Sequence, residues 1–99
     1  MNTARDTKWD EHMDQAIKDP AEAAAYLDAV LEMEDPAALL VALRHVAKAH
    51  GMAEVTRRAG LGEKVLFRAL SEQGNPTVDT LTKVPHAMGL RLSVEPLAA

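Results

Sequence analysis

MAEVTRRAGLGEKVLFRAL, Met52 to Leu70, is the stretch whose reading decides the fold. It reads as two short helices joined at Gly60. In the first, Met52, Val55 and Ala59 share a face; in the second, Leu61, Val65, Leu66, Ala69 and Leu70 do. This is the three-to-four spacing of an amphipathic helix. Gly60 stands where the chain must turn sharply, and glycine reaches positive φ at no steric cost. Thr56 is small enough for two helices to cross closely, and Leu66 is the branched side chain that plugs the angle between them. These are the parts of a helix-turn-helix. An ordinary tight corner in a helical core shows the same pattern, so the neighbouring sequence has to separate the two.

Downstream, Glu72 to Pro76 carries turn chemistry throughout. Thr77 is placed to cap a fifth helix, with Val78, Leu81, Val84 and Met88 inward and Gly89 as its stop. Leu90 to Glu95 then alternates, Leu90, Leu92 and Val94 against Arg91, Ser93 and Glu95, as a short strand with one apolar face would; Pro96 ends it. Upstream, Asp35-Pro36 opens a helix that runs to about His50, with Leu39, Leu40, Leu43, Val46 and Ala47 inward and Gly51 as its stop. Asp19-Pro20 opens the helix before it, with Tyr26, Leu27, Val30 and Leu31 as the apolar stripe. In both, the aspartate caps free amides and proline takes the first helical position, where its missing N–H costs nothing. Arg44 and Lys48, one turn apart and exposed, fit either a solvated face or phosphate contact.

The chain has 99 residues, enough for one domain, and no cysteine, so neither a disulfide frame nor thiolate chemistry is open to it. No apolar run is long enough to span a bilayer and no signal peptide opens the chain, so a cytoplasmic protein is the default. The net charge of −4 is unevenly spread. Met1 to Asp35 holds three basic and ten acidic residues, and Pro36 to Ala99 holds eight basic and five acidic. An acidic arm thus precedes a mildly basic body, the asymmetry of a DNA-binding body with a separate interaction arm, or simply of a solvated tail. Trp9, Met13 and Ile17 fall four apart within that arm, as on a frayed or partner-induced helix; the lone Trp9 is either a partner anchor or a residue that folds back on the body. The organisation read here is a flexible acidic arm, 1–18, and a helix-turn-helix domain, 19–99. The fold class is all-α, five helices with a short C-terminal β-strand.

Gly51-Met52, Gly60-Leu61, Leu66-Phe67-Arg68-Ala69-Leu70-Ser71, Gly74-Asn75-Pro76-Thr77, Asp79-Thr80-Leu81 and Gly89-Leu90-Arg91-Leu92-Ser93-Val94 follow one another in that order. This series resembles the addiction-module antidote proteins, small antitoxins with a lambda-repressor-like helix-turn-helix. The resemblance covers Asp35 to Glu95 closely and Ala21 to Leu31 loosely. It implies an antitoxin of a type II toxin-antitoxin module that represses its own operon and neutralises a small RelE/ParE-type toxin. Two rival readings stand beside it: a stand-alone transcriptional regulator without a toxin, and a protein-interaction module whose helix-turn-helix no longer binds DNA. Three positions depart from the family pattern. Gly62 stands where a capping serine is usual, although its bare amide can still face a phosphate. Glu63 and Lys64 reverse a common basic-then-acidic order. Pro85 stands where an apolar helix residue is usual, and predicts a kink or an early end near Val84.

No enzyme constellation is present. His12, His45, His50 and His86 have no ligand spacing or carboxylate partner, Ser71 and Ser93 lie in no nucleophile motif, and the glycines form no phosphate loop. Met13, Met33, Met52 and Met88 lie where core or interface residues lie. No catalytic residue, cofactor or metal is therefore expected. The expected DNA contacts are Gly62, Glu63, Lys64, Phe67 and Arg68. Lys64 reaches guanine or phosphate, Glu63 accepts from a cytosine amine, and Arg68 meets backbone phosphate. Trp9, Met13 and Ile17 are the expected toxin anchors, with Asp10, Glu11 and Asp14 as charge complement. A homodimer is expected because one recognition helix reads only a few base pairs. Leu90, Leu92 and Val94 would pair with a second copy and cover the fifth helices near Met88; an extended tail on the same domain and a strand added to a toxin sheet are the other two uses of the segment.

Overall fold

A computed structural model describes residues 15–97. Within them run α1 (Pro20–Leu31), α2 (Pro36–His50), α3 (Met52–Ala59), α4 (Glu63–Ala69) and α5 (Val78–Ala87), with Gln15 and Ala16 also helical ahead of α1. The helix starts follow the expected chemistry at two of three capped ends. The Asp35 carboxylate accepts from the amides of Ala37 (3.1 Å) and Ala38 (3.4 Å), and the Thr77 hydroxyl accepts from the amide of Thr80 at 3.1 Å. Asp19 occupies the cap position of α1, but its side chain makes no capping bond. Its backbone carbonyl accepts from Ala23 at 2.9 Å, so Pro20 and this first helical bond set the start.

The helices pack in a chain of neighbours: α1 on α2, α2 on α3, α3 on α4, and α3 on α5. The core is aliphatic. Leu40, Leu43, Val46 and Ala47 of α2 meet Val55 and Ala59 of α3, Leu66 and Leu70 about α4, and Val84, Ala87 and Met88 about α5. Tyr26 of α1 reaches α2, its hydroxyl 3.2 Å from His45 Nδ1, and partial burial raises the tyrosine pKa. Ile17 is 2 % exposed and belongs to this core. It is therefore part of the body rather than of an arm ending at residue 18, and its side chain is used by the fold.

Four side chains expected inward or outward lie otherwise. Val65 is 52 % and Val78 81 % exposed, and Leu31 lies at the solvent edge of the α1 stripe. Arg44 is half-buried, with its Nε shielded from solvent and without a hydrogen-bond partner among the described residues.

Pro85 does not end α5 at Val84; the helix runs through to Ala87. The proline falls in the last turn, so the bond it forfeits is the one to the Leu81 carbonyl alone. Its ring is fully buried and takes the apolar place an ordinary helix residue would fill. The ending is tightly satisfied. Gly89 adopts φ 77°, its N–H donates to the His86 carbonyl at 3.0 Å, and the N–H of Leu90 donates to the Pro85 carbonyl at 2.8 Å. This is the Schellman pattern, and half-buried Leu90 packs back on the core as the pattern's apolar contact.

After Leu90 the chain has no regular structure as far as Leu97, and the strand expected over Leu90 to Glu95 is not formed in the single chain. The described residues offer it no second edge, and a strand without a ladder has nothing to hold it.

Candidate nucleic-acid interface

The corner between α3 and α4 is built as its sequence requires. Gly60 is left-handed, φ 69° and ψ 31°, and the N–H of Leu61 closes back on the Thr56 carbonyl at 3.1 Å. Thr56 turns its own hydroxyl onto the Ala53 carbonyl at 2.9 Å, which keeps it on the crossing surface as a compact, satisfied side chain. Leu66 is completely buried in the angle, as is Val55 opposite. With only Leu66 and Leu70 needed to seat α4, the rest of the helix is free. Glu63, Lys64, Val65, Phe67 and Arg68 are all exposed, and Gly62 is exposed at its start. The five residues expected to meet DNA therefore share one accessible surface.

Val65 joins that surface unannounced. It lies about 100° around the helix from Leu66. Two consecutive residues cannot both lie at the centre of a stripe this narrow, and that spacing was the signal available. An exposed valine here can meet a thymine methyl. At Gly62 a side chain would touch only Val65 Cγ2 at 3.9 Å, so the absence of the usual serine is not imposed by space.

Beyond the turn, Gly74 fixes the far end of α4. A methyl group there would collide with the Ala69 carbonyl and stand 2.8 Å from the Arg68 carbonyl oxygen. Only glycine lets the loop cross the helix end this closely. Its N–H donates to the Ser71 carbonyl at 2.8 Å.

On α3, one carboxylate organises two arginines. Glu54 pairs with Arg57 at 2.6 Å and with Arg58 at 2.7 Å. These bonds, the Arg57 hydrogen bond foremost, hold the Glu54 carboxyl below its ordinary range. Lys83 pairs with Asp79 on α5 at 3.1 Å. No such partner engages Lys64 or Arg68 among the described residues, which leaves both cations available to phosphate. An open groove of about 330 Å³ between α3 and α5, lined by Arg58, Ala59, Thr82, Lys83, His86 and Ala87, contains none of the expected site residues. Among the described residues no cluster of His, Asp or Glu could hold a metal ion, and no helix is long and apolar enough to cross a membrane.

The family profile described as a probable addiction module antidote protein matches residues 8–96. The chain belongs to this family. A relative from Haemophilus influenzae, an uncharacterized protein, is 36 % identical over 74 residues, covering 75 % of this chain and 76 % of that one. No solved structure matches the chain significantly. The matched span takes in the α3–α4 corner, Gly74 and the segment after α5 as far as Pro96.

The remaining expected residues divide. Met88 is buried at 1 % exposure within its own domain and presents nothing to a second copy. Leu90 is half-buried, while Leu92 and Val94 are exposed. Ile17 is in the core, and Trp9 and Met13 lie outside the described residues.

Proposed function

We propose that this antidote-family chain is a cytoplasmic DNA-binding antitoxin: a lambda-repressor-like helix-turn-helix protein that represses its own operon as a homodimer and neutralises a small RelE/ParE-type toxin. The observation that carries the DNA half is the α4 surface. A glycine corner presents a helix whose exposed face holds Lys64 and Arg68 without intramolecular ion partners among the described residues. Its start enters the major groove, where Lys64 reaches guanine or phosphate and Glu63 a cytosine amine. Replacing Lys64 with alanine weakens specific binding to the chain's own upstream DNA by roughly 1–3 kcal/mol, measured by gel shift at fixed salt, with thermal melting unchanged. Equal affinity of the variant removes Lys64 from the contacts.

The family supplies the toxin as partner, and the acidic segment before Asp35 supplies the surface. DNA occupies the basic body, and a toxin that handles nucleic acid presents positive charge to the arm. Trp9 and Met13 are the anchors; Ile17 is not, since the core holds it. Removing residues 1–14, which spares Ile17, abolishes capture of the neighbouring gene's product in a pull-down. Full-strength capture by the shortened chain assigns the toxin contact elsewhere.

A further inference from the structure

The segment after α5 carries its own pairing code. The N–H of Leu90 is spent on Pro85, so the free backbone begins at Arg91, and Pro96 has no N–H to offer. Five residues, Arg91-Leu92-Ser93-Val94-Glu95, lie between these limits. Backbone hydrogen bonds outside helices involve none of them among the described residues. Leu92 and Val94 are exposed at 55 % and 98 %.

We propose that two copies of the chain join through this segment as an antiparallel pair whose two-fold axis passes through Ser93. The proposal rests on the homodimer reading above and adds its register. Residues directly opposite in an antiparallel pair share a face. With the axis at Ser93, Arg91 of each copy stands opposite Glu95 of the other, twice, and Leu92 stands opposite Val94, twice. Moving the axis to Arg91 puts the two arginines against each other. An axis at Leu92 sets both charges against uncharged residues, and one at Val94 sets Arg91 against Leu97. A slip by one residue in a single strand pairs the apolar face with the polar one. A parallel pair in register sets Arg91 beside Arg91 and Glu95 beside Glu95. Ser93 is thus the centre that pairs opposite charges and aliphatic side chains together, and charge complementarity selects a second copy as the occupant.

The test uses the full chain. Arg91→Glu and Glu95→Arg each weaken dimerisation in sedimentation equilibrium by about tenfold or more, because each creates like-charged pairs, and the double variant R91E/E95R recovers to within about threefold. Both positions are exposed, so circular dichroism stays unchanged. Ser93→Cys crosslinks to a dimer on mild oxidation, since directly opposed Cα atoms stand about 4.5–5.5 Å apart, inside disulfide reach. The chain has no other cysteine to confuse the result. A wild-type dimer that neither charge reversal weakens, or that Ser93→Cys fails to crosslink, overturns the register and leaves the homodimer standing. A wild-type chain monomeric at tens of micromolar overturns both, and the gel shift above still reports on DNA binding separately.

Discussion

Leu66→Ala lowers the stability of the domain by about 2–5 kcal/mol. Leu66 is completely buried and fills the angle where α3 crosses α4, so alanine leaves a cavity that the crossing helices cannot close without sliding. α4 has seven residues and is seated chiefly by Leu66 and, just past its end, by Leu70. A helix this short is not stable by itself, so losing half of its seat also loosens the surface that carries Lys64 and Arg68. Domains of this size have about 5–15 kcal/mol in hand, and the variant uses a large part of that. Urea denaturation followed by circular dichroism measures the loss. Val65→Ala is the paired control: one residue away but half exposed, it changes stability by less than about 1 kcal/mol. A Leu66→Ala loss no larger than that of Val65→Ala means that the corner is not held by this plug.

Gly74→Ala is the second large effect, a loss of about 3 kcal/mol by overpacking. The obstruction is backbone, the Ala69 and Arg68 carbonyls at the end of α4, and cannot rotate aside as a side chain could. Gly60→Ala separates sterics from torsion. A methyl at Gly60 meets nothing within 4 Å, so its cost is the left-handed backbone alone, about 1–2 kcal/mol. Denaturation midpoints should therefore fall further for Gly74→Ala than for Gly60→Ala, although only Gly60 has positive φ. The opposite order means that the loop between α4 and α5 can shift and that its approach to the helix is loose.

Helix existence and order were legible in the sequence because each start and stop is local chemistry: Asp35-Pro36, Thr77, and the glycines at 51, 60 and 89. The exposed face of α4 was legible for a related reason, since most of what does not plug the corner faces solvent. What escaped is non-local. Ile17 reads as one residue of a polar arm, and only the fold of α1 onto the body brings it inside. Val78 reads as inward by its spacing from Leu81, yet it is the first residue of α5, ahead of the turn that meets α3, and remains in solvent. Met88 reads both as an inward residue of the fifth helix and as a neighbour of the dimer strand; the inward reading holds, and Met88 fills its own core. Gly74 reads as turn chemistry, whereas its duty is an approach to a backbone five residues earlier that no periodicity encodes. Alternation over Leu90 to Glu95 describes faces and says nothing about whether a second strand lies within reach.

The ending of α5 has a geometric consequence for any operator. Because the Leu90 amide is bonded to the Pro85 carbonyl and the Leu90 side chain is set against the core, the segment leaves the body from a point fixed by the fold. In the proposed dimer, that fixed exit point limits the angle and separation at which two bodies can present their α4 helices to a duplex. DNA offers matching faces once per turn, about 34–36 Å apart. A repressor of this build tolerates changes of base far better than insertion of a single base pair between half-sites, which rotates one groove away from its reader.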